Sequence, residues 1–337
     1  MVFLHSFAPL RLGGSIGLVP VQNCLVRQSG YDVRPMPANI REIKGRIKAV
    51  GNIQRITKTM QLIASARFQK LQKRATEAQA YTRKVSEVVG EVASSLGGED
   101  VNLPLASPPA KASGKELILI LSASRGFCGS YNTNVMRPAI QHIRDTGSDN
   151  IEAEVVGKKG IALMKFSRLE VDVYHDHIGD TPLYEDVQAL AQRYMDDFVA
   201  GKYDAVRVAY MRFVSMSKQT PEVMTLLPLE PPTPQANADA KPGAAGEASG
   251  AGANYEFSPN AQELLGELLP ITVKSNLYQA FNEAAVSEQL ARMIAMKSAT
   301  DSAGKVGKSL KRQFNRARQA AITTELSEII AGAAALE

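Results

Sequence analysis

Cysteine is nearly absent from this chain, and its absence is the first of several that remove whole classes of function. The two cysteines, Cys24 and Cys128, stand in no Cys-x-x-Cys or Cys/His grouping. That excludes a disulfide framework and a zinc site and points to a reducing compartment. Apolar runs of about 18 residues, the length needed to span a membrane, are also missing, so any membrane association passes through a partner. No internal repeat is visible, which excludes a solenoid. Proline is missing between Asn39 and about Leu96, and acids are scarce in the first half of that stretch. What remains is a chain of 337 residues, 45% hydrophobic with a formal charge of +5, enough for one large or two ordinary folded domains.

From Ile40 onward apolar residues recur in steps of three or four: Ile43, Ile47, Val50, Ile53, Ile56, Met60, Ile63/Ala64, Leu71, Ala75, Ala78, Val85, Val88/Val89, Val92 and Leu96. The spacing predicts a coiled-coil helix over 38–97, roughly 85 Å long at ~1.5 Å per residue. Ahead of it, residues 1–37 read as a disordered leader with three arginines and the single acid Asp32. Two origins stay open for it. One is a transit peptide. The other, favoured, is an over-extended reading frame whose natural start is Met36, because "MPANIREIK" reads as a compact N-terminus with Asn39 as a helix N-cap.

After a Gly/Pro-rich connection the pattern changes. "ELILILS" (116–122) reads as a buried strand, and "EAEVVG", "LEVDVYH", "YDAVRVAY" and "PEVMTLLPL" as further strands, with helical stretches at 131–145, 157–168 and 182–200. Such alternation predicts an α/β, Rossmann-like domain over 115–229 with a mainly parallel sheet. Residues 230–254 are low-complexity Pro/Ala/Gly and read as a flexible surface insertion. A second long helix follows over 255–337, interrupted only by Pro270 near its start and weakened at Gly304 and Gly307 by up to ~1 kcal/mol each, which a partner helix must offset. Two long helices bracketing an α/β domain most simply pair antiparallel, with the domain at one end of the rod.

Catalytic signals are weak. "ILSASRGFCGSYN" (120–132) has the strand-turn-helix layout of a phosphate cradle but neither P-loop nor dinucleotide spacing. Cys128 with His142 lacks a third group. His175 and His177, flanking Asp176, suggest a solvated strand end in place of a metal site. The carboxylates of "YMDDF" (194–198) and of Glu185 and Asp186 read as the wet face of a helix. The expectation is therefore no catalytic residue, no metal and no cofactor.

Charge is more informative. Arg41, Lys44, Arg46, Lys48, Arg55, Lys58, Arg67, Lys70, Lys73 and Arg74 face Glu42 alone, and Lys305, Lys308, Lys311, Arg312, Arg316 and Arg318 lie in an acid-free stretch. Antiparallel pairing sets the two runs side by side, so an external partner must supply the opposite charge. A basic coiled-coil scaffold or nucleic-acid-binding protein is the runner-up, and the lack of interleaved aromatics and of any recognition motif counts against nucleic acid. The final "ELSEIIAGAAALE" is small and apolar where most chains end in polar residues, and suggests a helix end inserted in a close-fitting apolar collar.

Three stretches carry a resemblance: "IREIKGRIKAVGNIQRITKTMQLIASARFQK" (40–70), "LSASRGFCGSYNTNV" (121–135), and 292–337 with its specific block "NRARQAAITTELSEI". Over roughly 38–229 and 255–336 the chain resembles the gamma subunits of F-type ATP synthases. The resemblance implies a rotor shaft inside a ring of three alpha and three beta subunits, its α/β domain resting with epsilon on the membrane ring of c subunits. Such a shaft couples proton-driven rotation to ATP synthesis without bond chemistry of its own. It further implies contacts of Lys58, Met60, Arg318, Gln319 and Thr323 with the beta subunits and a tip at Ala333, Ala334, Ala335 and Leu336 held in an apolar bearing. The implied location is the cytoplasmic side of a bacterial inner membrane, or an organellar membrane should 1–35 be a transit peptide. Ser258 stands where many relatives carry an acid, which puts a polar contact to the c ring there in doubt, and the 230–254 insertion is unusual.

Overall fold

The computed structural model describes residues 40–95, 105–107, 113–229 and 260–336. The leader, the Asn39 cap, the 230–254 insertion and Ser258 lie outside them.

The sheet starts from a strand whose five residues after Glu116 are all apolar. β1 (Glu116–Leu121) sends Leu117, Leu119 and Leu121 to one face and Ile118 and Ile120 to the other, all of them buried, which only a strand covered on both sides tolerates. β2 (Ile151–Val156), β3 (Val173–His175) and β4 (Ala205–Phe213) join it in parallel, and β5 (Gln219–Leu227) closes the edge antiparallel to β4, in the order β3-β2-β1-β4-β5. The helices α2 (Tyr131–Thr146) and α3 (Lys158–Phe166) pack with Ile118, Ile120, Val155 and Met211. The opposite face, with Leu117, Leu119, Val206 and Val208, is covered by α4 (Tyr184–Val199) and by the long helices. Right-handed crossovers require this division, because the chain reverses direction across β1 after β3. The "LEVDVYH" strand is shorter than its pattern: the exposed Asp172 accepts a hydrogen bond from Ala153 N on its side chain at 2.7 Å, and ladder pairing begins only at Val173.

α1 (Ile40–Ser95, 56 residues) and α5 (Ala261–Ala334, 74 residues) are the long helices. α5 opens at Asn260, whose side chain accepts from Glu263 N at 2.8 Å, one of the helix's otherwise unpaired donors. The pair runs antiparallel: Val50 lies against Gly307, Thr57 against Thr300, and Ala75 beside Gln279 and Glu283. On this register Ile40 stands near residue 317, and the rest of α5 continues for roughly 25 Å with no described helix beside it.

The predicted seam is corrected in its upper part. Ile53, Ile56, Met60 and Ile63 are exposed, by 52, 56, 37 and 51%, while Thr57 and Phe68 are buried. Between Val50 and Ala64 the contact instead runs through small and polar groups. Thr300 Oγ1 meets Thr57 Oγ1 at 2.8 Å, and an added Cβ on Gly304 would stand 3.1 Å from Gln54 Nε2. Helices this close leave no room for the branched residues, which turn outward. The expected side-by-side alignment of the two basic runs therefore holds only for 41–55 against 302–316.

Candidate partner-binding surface

The strand-to-helix turn after β1 is built by packing. Ser122 Oγ accepts from Gly160 N at 2.9 Å and lies within hydrogen-bond reach of the carbonyls of Val156 and Gly157. Gly157, at φ +92°, passes so close that a Cβ would sit 2.2 Å from Ser122 O, so no other residue fits there. Asn132 Oδ1 accepts from Ala123 N at 2.9 Å, using the inside of the turn for structure.

The chemistry the sequence hints at is not assembled. His142 is bound to Glu116 at 2.9 Å, an acid that also accepts from Arg207. Cys128 is buried elsewhere, its thiol pushed up by burial and by the Glu288 carboxylate. His175 corrects the expectation of a solvated strand end: it is 6% exposed and shares Glu154 with Arg193 and Tyr194, while His177 lies outside, edge-on to its ring at 5.6 Å. Burial would lift the Glu154 carboxyl, but the hydrogen bonds of His175 and Tyr194 and the Arg193 charge outweigh it and hold it below the ordinary range. In "YMDDF" only the aspartates reach the surface, since Tyr194, Met195 and Phe198 are core. Among the described residues no group of three or more His, Cys, Asp or Glu is placed to hold a metal ion.

The shaft is different. Lys44, Lys48, Arg55 and Lys58 on α1, and Lys305, Lys308, Lys311, Arg312, Arg316 and Arg318 on α5, are exposed and form no ion pair with a described residue. Their charge is uncompensated alongside the apolar stripe Ile53, Ile56, Met60 and Ile63. The stripe runs down into a cleft of about 500 Å³ between α1 and the turn, lined by Met60, Ile63 and the Phe127 ring. Phe127 is held at φ +63° with 69% of its surface exposed, a backbone strain that the turn sustains without burying the ring.

The sequence-derived site residues fall into three levels. Lys58 and Met60 are exposed beside Thr57, opposite Thr300. Arg318, Gln319 and Thr323 are exposed on the unaccompanied part of α5, roughly 27 Å further along the axis, and Thr323 Oγ1 donates back to Gln319 O. Ala333 to Leu336 finish the helix, with Leu336 91% exposed. Sequence reasoning missed Phe127, Ile53 and Ile56 as surface. Phe127 follows a glycine in a tight turn, the one hint available, whereas Ile53 and Ile56 carry the pattern of a seam. It also missed the apolar length of the tip, where Ile322, Leu326, Ile329 and Ile330 are 49 to 68% exposed.

An antiparallel helical stalk on a three-layer α/β base, with a bare apolar and cationic end, defines the class of protein. The family model for ATP synthase matches residues 39–336. The chain belongs to that family, and the relatives it matches over nearly their whole length are gamma chains. It is 40% identical to the ATP synthase gamma chain of Rhodopirellula baltica over 89% of this chain and 99% of the relative, and 37% identical to that of Acidovorax sp. strain JS42 over 88% and 99%. Its fold matches chains of the Euglena gracilis mitochondrial ATP synthase. One is from the OSCP/F1/c-ring assembly in rotational state 3, with a TM-score of 0.58, 17% identity, and coverage of 88% of this chain and 94% of that one. The other is from the rotor in rotational state 1, with a TM-score of 0.54, 17% identity, and coverage of 84% and 98%. Family membership displaces the nucleic-acid alternative. No described helix is long and apolar enough to cross a membrane.

Proposed function

We propose that this chain is the central-stalk rotor subunit of its ATP synthase, itself without bond chemistry, coupling proton-driven rotation of a c ring to ATP synthesis and regulating hydrolysis and proton flow. Its partners are the alpha and beta subunits around the shaft, and epsilon and the c ring at the α/β foot. The observation that carries this reading is the free end of α5, where unpaired cations and an apolar tip project beyond α1. Among the described residues a single helix stands above a two-helix stalk, an arrangement lopsided about its own axis. Turning it presents Lys58, Met60, Arg318, Gln319 and Thr323 to each surrounding subunit in sequence, so that acidic segments of the ring are attracted and pushed in turn. The tip at Ala333, Ala334, Ala335 and Leu336 offers small apolar groups to a bearing, where no directional bond resists rotation. The organisation that serves this is a shaft over 38–97 and 255–337 and a foot over 115–229. Relatives at 36–40% identity from named bacterial strains favour the cytoplasmic side of a bacterial inner membrane.

The test is the ratio of ATP-driven proton pumping to ATP hydrolysis in inverted membrane vesicles carrying Lys58→Glu or Arg318→Glu. Each is expected to lower the ratio several-fold with assembly intact. Wild-type ratios in both, or failure of the chain to co-purify with alpha and beta subunits, would sink the proposal.

A further inference from the structure

A second cleft, of about 630 Å³, lies at the carboxyl ends of β1, β2 and β3, where α1 and α5 pass the sheet. Its rim carries four cations: Arg67 and Lys70 from α1, Arg125 from the turn after β1, and Lys158 from the start of α3. Only two carboxylates face them. Asp180 lies 3.2 Å from Arg67 and 3.3 Å from Arg125, so one acid is shared between two guanidiniums, and Asp176 is the other. The cleft keeps an excess of positive charge, and Lys70 and Lys158 form no ion pair with a described residue.

A second observation is independent of the charge. Gln289, on α5, lines the cleft and is 1% exposed. Its amide offers both a donor and an acceptor at the floor of the cavity. The carboxyl edge of a parallel sheet is also where open α/β folds place ligands.

We propose that this cleft binds a phosphate-bearing anion. Lys158, Arg125, Arg67 and Lys70 bracket its charge, and the Gln289 amide donates a hydrogen bond from the floor. The proposal does not depend on the shaft's role in coupling, since the cleft lies where shaft and foot meet and its ligand is read by direct binding.

The test is isothermal titration calorimetry of the full chain with inorganic pyrophosphate and, separately, ADP. Saturable binding is expected, weakened about tenfold in Lys158→Gln, the size of one charge-assisted hydrogen bond, and also in Gln289→Leu. It should be unchanged in Lys218→Gln, an exposed lysine that does not line the cleft. Tighter binding of ADP than pyrophosphate identifies a nucleotide as the occupant, and equal binding a simple phosphate group. Lys158 is exposed, so its variant carries the test if Gln289→Leu does not fold. The proposal is overturned if neither ligand gives saturable heat, or if Lys158→Gln binds as wild type does, which would place the anion outside this cleft. It is equally overturned if Lys158 resists acylation only in the assembled complex, which would make the cleft a subunit contact.

Discussion

The lower and upper halves of the shaft use the same two helices to opposite ends. Below, Phe68, Leu71 and Ala75 close against Ala285, Val286 and Leu290, with Phe68 also edge-on to Phe213 at 6.2 Å. Above, the helices touch through Thr57, Thr300 and Gly304, leaving Ile53, Ile56, Met60 and Ile63 outside. An apolar stripe of constant period thus serves as core in one half and as surface in the other. Stability is concentrated where the shaft meets the foot, and the cost of an unsatisfied surface is carried where partners are to be met.

The largest expected effect tests that division directly. Phe68→Ala empties a buried aromatic site and should cost about 3–5 kcal/mol, whereas Ile56→Ala, on the same helix but more than half exposed, should cost under about 0.5 kcal/mol. Urea unfolding of the two variants checks the contrast. Equal losses would mean that the upper helices pack as tightly as the lower.

The next effect separates foot from shaft by pH. Glu154, in the foot, is held below the ordinary carboxylate range despite burial, so its contribution is complete above pH 4.5 and is lost as pH falls through its folded value. Glu283 and Glu288, where α5 crosses the sheet, are pushed up by burial. Their effect has the opposite sign: they favour the fold at low pH and lose that advantage as pH rises through their folded values. Glu154→Gln leaves Arg193 and His175 without their carboxylate and should cost about 3 kcal/mol at neutral pH. The difference in melting temperature from wild type should shrink as pH drops below 4.5. A constant difference would show that the network acts by shape alone.

Much of this was legible in the sequence because it is periodic. The long helices, the strand "ELILIL" and the helices near 131–145 and 182–200 follow from patterns that only one local geometry satisfies. The cations of α5 and the small apolar residues at its end were legible from composition, whereas the exposed Ile322, Leu326, Ile329 and Ile330 were not. The seam between Val50 and Ala64 was not, since its position is decided by which small residues on α5 face α1, and Gly304 and Thr300 lie more than two hundred residues away. Glu154 was hidden in "EAEVVG", where its partners His175, Arg193 and Tyr194 come from later elements. Phe127 gave no periodic signal. Its exposure is set by the turn's backbone, which Ser122 and Asn132 hold at its two ends and Gly157 braces from the loop after β2.

The smallest expected effect is the sharpest test of the upper shaft. Alanine at Gly304 gains up to about 1 kcal/mol of helix propensity, and its Cβ meets only Gln54 Nε2, at 3.1 Å, the far end of a flexible and exposed side chain. Because that amide can swing away, Gly304→Ala should stabilise the chain by about 0.5 kcal/mol in denaturant unfolding. A loss of more than about 1 kcal/mol would show that the helices cannot yield there. The upper shaft would then be as closely fitted as the lower, and the outward turn of Ile53 and Ile56 would be the price of a rigid seam, with partner contact only its by-product.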